Sequence, residues 1–221
     1  MYPNKRITLL CGHYGSGKTN VALNLAYELR KKEQNVAIAD LDIVNPYFRT
    51  KDSSDILNDK GIRLICSEYA NSNVDIPALP QDMYVITEDK NLNVIIDVGG
   101  DDRGALALGR IKQGIIDENN YDMLMVINCF RPLTRTAQDT IQVMQEIETA
   151  CGIKFTGLVN NSNLGAETSA DDVLASEEYA KEISKLTNLD IVLTTFDASL
   201  LDELKQKVQN PFPLILQEKI F

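Results

Sequence analysis

Two hydrophobic rhythms alternate along this chain. Short, nearly continuous apolar runs predict buried strands at residues 6–11, 36–41, 63–66, 94–98, 122–128, 156–160 and 191–195. Between them the apolar positions move to helical spacing. Val21, Ala22, Leu25, Ala26 and Leu29 share one face of a helix over residues 18–32, and Ala137, Ile141, Met144 and Ile147 share another. A Ser-x-x-Asp start at Ser169 opens a helix over 169–186, and a second such start at Ser199 predicts a short helix over 199–208. Apolar strands that alternate with amphipathic helices predict an α/β fold: a mainly parallel sheet flanked by helices on both faces. With 221 residues, the chain is expected to form a single domain over 1–221. The stretch 50–88, which carries Pro77 and Pro80, reads as an irregular lid or partner insert.

Composition narrows the setting. The formal charge of −10 disfavours non-specific DNA binding, and no apolar run reaches the ~20 residues of a membrane span. The first residues run into a strand without a leader-like apolar segment, which predicts a cytoplasmic protein. The cysteines, Cys11, Cys66, Cys129 and Cys151, form no C-x-x-C pair and have no histidine at zinc spacing, so they read as free thiols. In the tail, Pro211 and Pro213 disfavour a long helix, and Lys219 is the sole basic residue. The apolar run Leu214-Ile215-Leu216 therefore predicts packing onto the domain or a partner, not onto a membrane.

The most specific chemistry lies after the first strand. Gly12-His13-Tyr14-Gly15-Ser16-Gly17-Lys18-Thr19 fits G-x-x-x-x-G-K-[ST] and stands between a predicted strand and a predicted helix. Glycines let successive N–H groups converge on phosphate oxygens, and the helix that follows turns its positive end to the same anion. Lys18 is placed to neutralise β- and γ-phosphates and the Thr19 hydroxyl to ligate Mg²⁺, with contacts continuing to Asn20. Two carboxylate groups end strands where the metal would sit. These are Asp40 and Asp42, on the same side of one strand, and Asp97, followed by Val98-Gly99-Gly100. Gly100 N–H is spaced to sense a γ-phosphate.

Together with Gly157-Leu158-Val159-Asn160-Asn161, these elements resemble the MinD/ParA-like ATPases, the superfamily of the nitrogenase iron protein and the CobQ/CobB domains. The resemblance implies a P-loop fold and an ATP hydrolase that uses Mg²⁺. It implies that Asp42 acts on the attacking water from the first switch and that Asp40 and Asp97 hold the Mg²⁺ hydration shell. Gly99 and Gly100 would lie in the second switch. Asn161, with Asn160 as the alternative, would contact adenine, and ATP would promote a homodimer that serves a protein client. The run Asn160-Asn161-Ser162-Asn163 lacks the lysine and aspartate of a guanine-binding Asn-Lys-x-Asp, which also favours adenine.

One position departs from the family pattern. Many members carry a second lysine just after the first glycine, and here that position is His13, whose side-chain type is not permanently charged. Arg49, Lys51, Arg103, Arg131 and Arg135 are the candidate replacements, with Arg49 favoured for its place after the first switch. The expected function is an ATP-driven conformational or assembly switch. The alternatives are a small-molecule kinase or synthetase, a metallocofactor maturation factor and a nucleotide sensor.

Overall fold

The computed structural model describes residues 2–32, 34–41, 51–66, 81–99, 104 and 108–216. Its framework is one eight-stranded sheet in the order β3-β2-β4-β1-β5-β6-β7-β8. The strands are β1 (Ile7–Cys11), β2 (Val36–Leu41), β3 (Ile62–Cys66), β4 (Asn93–Val98), β5 (Tyr121–Ile127), β6 (Gly157–Asn160), β7 (Ile191–Asp197) and β8 (Pro211–Leu214). Every neighbouring pair is parallel. Every residue of β1 and β2 is buried, as a sheet covered on both faces requires.

Seven α-helices supply the cover among the described residues. They are α1 (Lys18–Lys31), α2 (Lys51–Asp59), α3 (Val85–Glu88), α4 (Lys112–Glu118), α5 (Ala137–Cys151), α6 (Ala170–Thr187) and α7 (Leu201–Leu204). One face carries α1 and α2, whose Val21, Leu25 and Leu57 pack on Leu10, Ile38, Ile95 and Val126. The other carries α3 to α6, whose Ile86, Ile115, Met144 and Ile183 pack on Leu9, Ile96 and Met125. Alternation along each strand thus assigns odd and even positions to different layers. It also decides that Asp40 and Asp97, in phase with Ile38 and Ile95, stand on the α1 face.

Three expectations change. The stretch 50–88 contains α2, β3 and α3, so much of what reads as irregular is ordinary secondary structure. The helix expected over 199–208 is reduced to a 3₁₀ turn, Ala198–Leu200, and the four residues of α7. The tail packs on the domain, as expected, but does so as β8, an edge strand that pairs only with β7. An edge tolerates the missing N–H groups of Pro211 and Pro213. Asn24 of α1 continues the pairing past the strand. Its Oδ1 accepts from Ile215 N at 2.9 Å, and its Nδ2 donates to Ile215 O at 3.2 Å. No helix of the described residues is long and apolar enough to cross a membrane.

The end of the sheet opposite the glycine loop is fastened by one buried arginine. Arg6 forms a two-pronged ion pair with Glu118 and donates to the carbonyls of Ile86 at 2.8 Å, Asp89 at 3.2 Å and Leu92 at 2.8 Å. Its planar fork thereby ties β1 to α3, to the turn before β4 and to the end of α4. Arg6, then Lys90, holds the Glu118 carboxyl below its ordinary range against the opposing effect of burial.

Arg6→Ala is expected to destabilise the protein by about 1–3 kcal/mol in urea unfolding at neutral pH, because the carbonyls of Ile86 and Leu92 lose a buried donor while Glu118 keeps only the exposed Lys90. A folded-state value held below the unfolded one gives stability that is complete above about pH 4.3 and is lost as pH falls through the folded value. Wild-type stability should therefore fall more steeply than that of Glu118→Gln on acidification, and parallel profiles would contradict this.

Candidate functional site

At the carboxyl end of β1 the backbone is forced open. Gly12 has φ +151°, and a Cβ there would lie 2.5 Å from the carbonyl oxygen of Val126 in β5. Gly17 has φ +89°, and its Cβ would run into the Asn161 amide. Both positions require glycine for conformation and for space. Between them Ser16 N donates to His13 O at 3.1 Å, closing the loop on itself. α1 then begins at Gly17 with no side-chain cap and no acidic residue in its first turn. The other two long helices carry a side-chain cap, whereas α3, α4 and α7 do not. Thr136 accepts from Asp139 N at the start of α5, and Ser169 forms a capping box with Asp172 at the start of α6. The N–H groups at the start of α1 are thus left for an anion.

Lys18 is buried at 5% exposure, and its Nζ donates to Gly12 O at 3.1 Å and His13 O at 3.4 Å. A buried ammonium held by two weakly basic carbonyls is poised for a stronger acceptor. Ser16 Oγ is buried and has no hydrogen-bond partner, a second sign that this cradle accommodates a polar ligand.

Opposite the cradle stand the carboxylates. Thr19 Oγ1 donates to Asp97 Oδ2 at 2.6 Å, joining the first turn of α1 to the end of β4. Asp40 and Asp97 are register partners on β2 and β4, buried at 1% and 2% exposure. One hydroxyl and two carboxylates are the hard oxygen donors that suit Mg²⁺, which commonly takes one or two carboxylates and completes its shell with water and phosphate. Among the described residues no cluster of three or more His, Cys, Asp or Glu forms a self-sufficient metal site. Gly99 lies just past β4, with the backbone of Gly104 close against it. Asp42 and Gly100 lie outside the described residues.

A family model described as the CobQ/CobB/MinD/ParA nucleotide binding domain matches residues 7–210. The chain belongs to that family. Similar solved structures include FtsY from Thermotoga maritima, at 15% identity and a TM-score of 0.58, covering 84% of this chain and 59% of that one. FtsY from Mycoplasma mycoides aligns at 18% identity and a TM-score of 0.56, covering 86% and 60%. The signal recognition particle receptor FtsY from Elizabethkingia anophelis, in complex with GDP, aligns at 14% identity and a TM-score of 0.52, covering 86% and 57%. At these identities the likeness is one of fold, and this chain spans about 60% of the length of each of those FtsY chains. No curated protein matches it.

The family's nucleotide loop is braced here by an asparagine. Asn161 Nδ2 donates to Ser16 O at 2.6 Å, and its Oδ1 accepts from Thr195 Oγ1 at 2.5 Å. Asn160 points elsewhere, donating to Ser176 Oγ at 2.9 Å and accepting from Ser162 N at 3.3 Å. Both amides are buried and used within the protein. Thr195 and Ser176 therefore belong to the site's support, which sequence reasoning missed. Their signal was two threonines, Thr194 and Thr195, in an otherwise apolar strand.

Of the five candidate cations, Arg49 and Arg103 fall outside the described residues, as does the Lys51 side chain. Arg135 is exposed. Arg131 reaches the glycine loop, its Nε donating to Gly15 O at 2.8 Å. His13 Nδ1 lies 2.9 Å from Tyr14 O. Two of the thiols are buried, Cys11 and Cys151. Burial raises the pKa of both, and for Cys11 the neighbouring Cys151 and Asp97 add to it, so neither is a thiolate at neutral pH. Cys66 and Cys129 are half-buried.

Asn161→Ala is expected to leave the sheet intact and lower stability by about 1–3 kcal/mol, since Ser16 O and Thr195 Oγ1 lose a buried partner. Amide exchange at His13–Gly17 should quicken more than exchange in β5. Equal protection of the loop in mutant and parent would remove Asn161 as its brace.

Proposed function

We propose that this P-loop nucleotide-binding protein binds MgATP and hydrolyses it as a conformational or assembly switch. The observation that carries the reading is the Thr19–Asp97 hydrogen bond of 2.6 Å beside the buried Lys18. It joins the phosphate loop to the strand-end carboxylate across the point where a metal-bound triphosphate would lie. With nucleotide bound, Lys18 would exchange the Gly12 and His13 carbonyls for phosphate oxygens, and Thr19, Asp97 and Asp40 would be the residues that hold the cation. Bound Mg²⁺ would supply charge neutralisation of the β- and γ-phosphates. Asp42 and Gly100 are assigned the attacking water and the γ-phosphate, so that loss of the γ-phosphate releases their loops.

Adenine is favoured over guanine by the residues after β6. Asn160-Asn161-Ser162-Asn163 offers no carboxylate of the kind that accepts from guanine N1 and N2. The GDP complex of the Elizabethkingia anophelis FtsY concerns a protein with which this chain shares 14% of its residues. Asn161 serves the base as the wall of its cleft, while its own amide braces Ser16 and Thr195. Among the described residues no group of three or more His, Cys, Asp or Glu stands together, whereas the phosphate loop and strand-end carboxylates support the switch directly.

Phosphate release with no added acceptor tests this reading. Wild type should turn over MgATP in preference to MgGTP. Lys18→Ala should weaken ATP binding by about 30-fold or more through loss of a buried charged partner. Asp42→Ala should bind ATP at parental affinity without hydrolysing it. Turnover that appears only with a small-molecule acceptor would replace the switch by a kinase or synthetase, and a preference for GTP would overturn the base assignment. ATP should also raise the mass seen in light scattering to that of a dimer. An unchanged mass would remove the assembly part of the proposal.

A further inference from the structure

We propose that Arg131 is a permanently charged ligand of the β- or γ-phosphate at this nucleotide site, supplied from the chain's own loop between β5 and α5. The inference rests on the nucleotide reading above and assigns a residue within it.

The geometry is specific. The Arg131 side chain lies across Gly15, with Nε, Cδ and Cζ at 3.6, 3.8 and 4.0 Å from the place a Gly15 Cβ would occupy. Nε donates to Gly15 O at 2.8 Å, which uses one donor of the guanidinium fork. The two Nη groups make no hydrogen bond or ion pair among the described residues. They belong to a partly exposed side chain lying against Gly15 of the loop. A lysine in this place would have to choose between the carbonyl and a phosphate. A planar fork can hold the carbonyl through Nε and offer Nη to an oxyanion at the same time.

The loop that delivers Arg131 is built to hold still. Asn128 is fully buried and its Oδ1 accepts from Phe130 N at 3.0 Å. Arg131 N donates to Asn128 O at 3.2 Å, and Thr134 Oγ1 donates to the same carbonyl at 2.8 Å. Tyr179 of α6 then donates its hydroxyl to Thr134 O at 2.9 Å. A side chain serving only as surface charge has no use for this support, whereas a charge that must meet a phosphate gains from arriving already oriented. The residues between Gly12 and Gly15 leave room for such a charge, because neither His13 nor Tyr14 is a permanently charged type.

Competition binding separates a phosphate ligand from a mere brace of Gly15. Arg131→Met, which keeps the stem and removes the charge, should weaken ATP by about tenfold or more while AMP changes by less than about twofold. The ATP-to-AMP affinity ratio should therefore collapse, and Arg131→Lys should restore part of it. Thermal unfolding of the unliganded proteins should stay close to the parent. Equal weakening of ATP and AMP, or an unchanged ratio, would overturn the assignment, because Arg131 would then be shaping the loop or touching the base. A wild type that binds neither nucleotide would defeat the nucleotide reading itself. That outcome differs from a wild type that binds ATP with an Arg131→Met variant of undiminished ratio, which would defeat only this proposal.

Discussion

The structure turns on how the loop between β1 and α1 disposes of its backbone carbonyls. A loop of eight residues can point its amides inward only if its carbonyls are satisfied elsewhere. Here Ser16 O is taken by Asn161, Gly12 O and His13 O by Lys18, and Gly15 O by Arg131. These carbonyls are held by side chains from the start of α1, from the loop before α5 and from the end of β6, while Ser16 N closes the loop on His13 O. The uncapped start of α1 extends the same arrangement into the helix.

That arrangement depends on the order of the strands. β1 sits between β4 and β5, so its loop is flanked by Asp97 on one side and by Asn128 and Arg131 on the other. β6 and β7 come next, which brings Asn161 and Thr195 beneath Ser16. Acidic groups are therefore concentrated towards β2 and β4, and amides and the arginine towards β5 and β6. A metal-bound phosphate tail suits the first side and the rest of a nucleotide the second. The Arg6–Glu118 pair stays at the opposite end, where buried charge secures the sheet without entering the site.

The strands of the interior were legible because their apolar runs have no other explanation, and the expected β2 has the observed bounds, Val36–Leu41. The phosphate loop was legible because motif and context agreed. β8 was not, since Pro211 and Pro213 argue against a strand until its edge position is known. α4 escaped notice because it is short and carries Gly114, whose missing Cβ lets Thr87 approach; a methyl there would lie 2.8 Å from Thr87 Cγ2. The bracing role of Asn161 was hidden for a different reason. An asparagine after a strand can serve a base or a backbone carbonyl, and only the position of Ser16 and Thr195 around it shows how its two ends are used. Arg131 was one of five candidate cations in sequence, where Arg49 was favoured, and it is distinguished by the fold placing β5 beside β1.

Isothermal titration of the purified chain with MgATP addresses the central claim most directly, because it asks whether the open loop is an anion site at all. The account predicts saturable binding of one nucleotide per chain, lost when inorganic phosphate replaces the nucleotide at the same concentration and weakened when Mg²⁺ is withheld. Absence of binding to any nucleoside triphosphate with Mg²⁺ present would contradict it, and would leave the uncapped start of α1 and the buried Lys18 without a purpose.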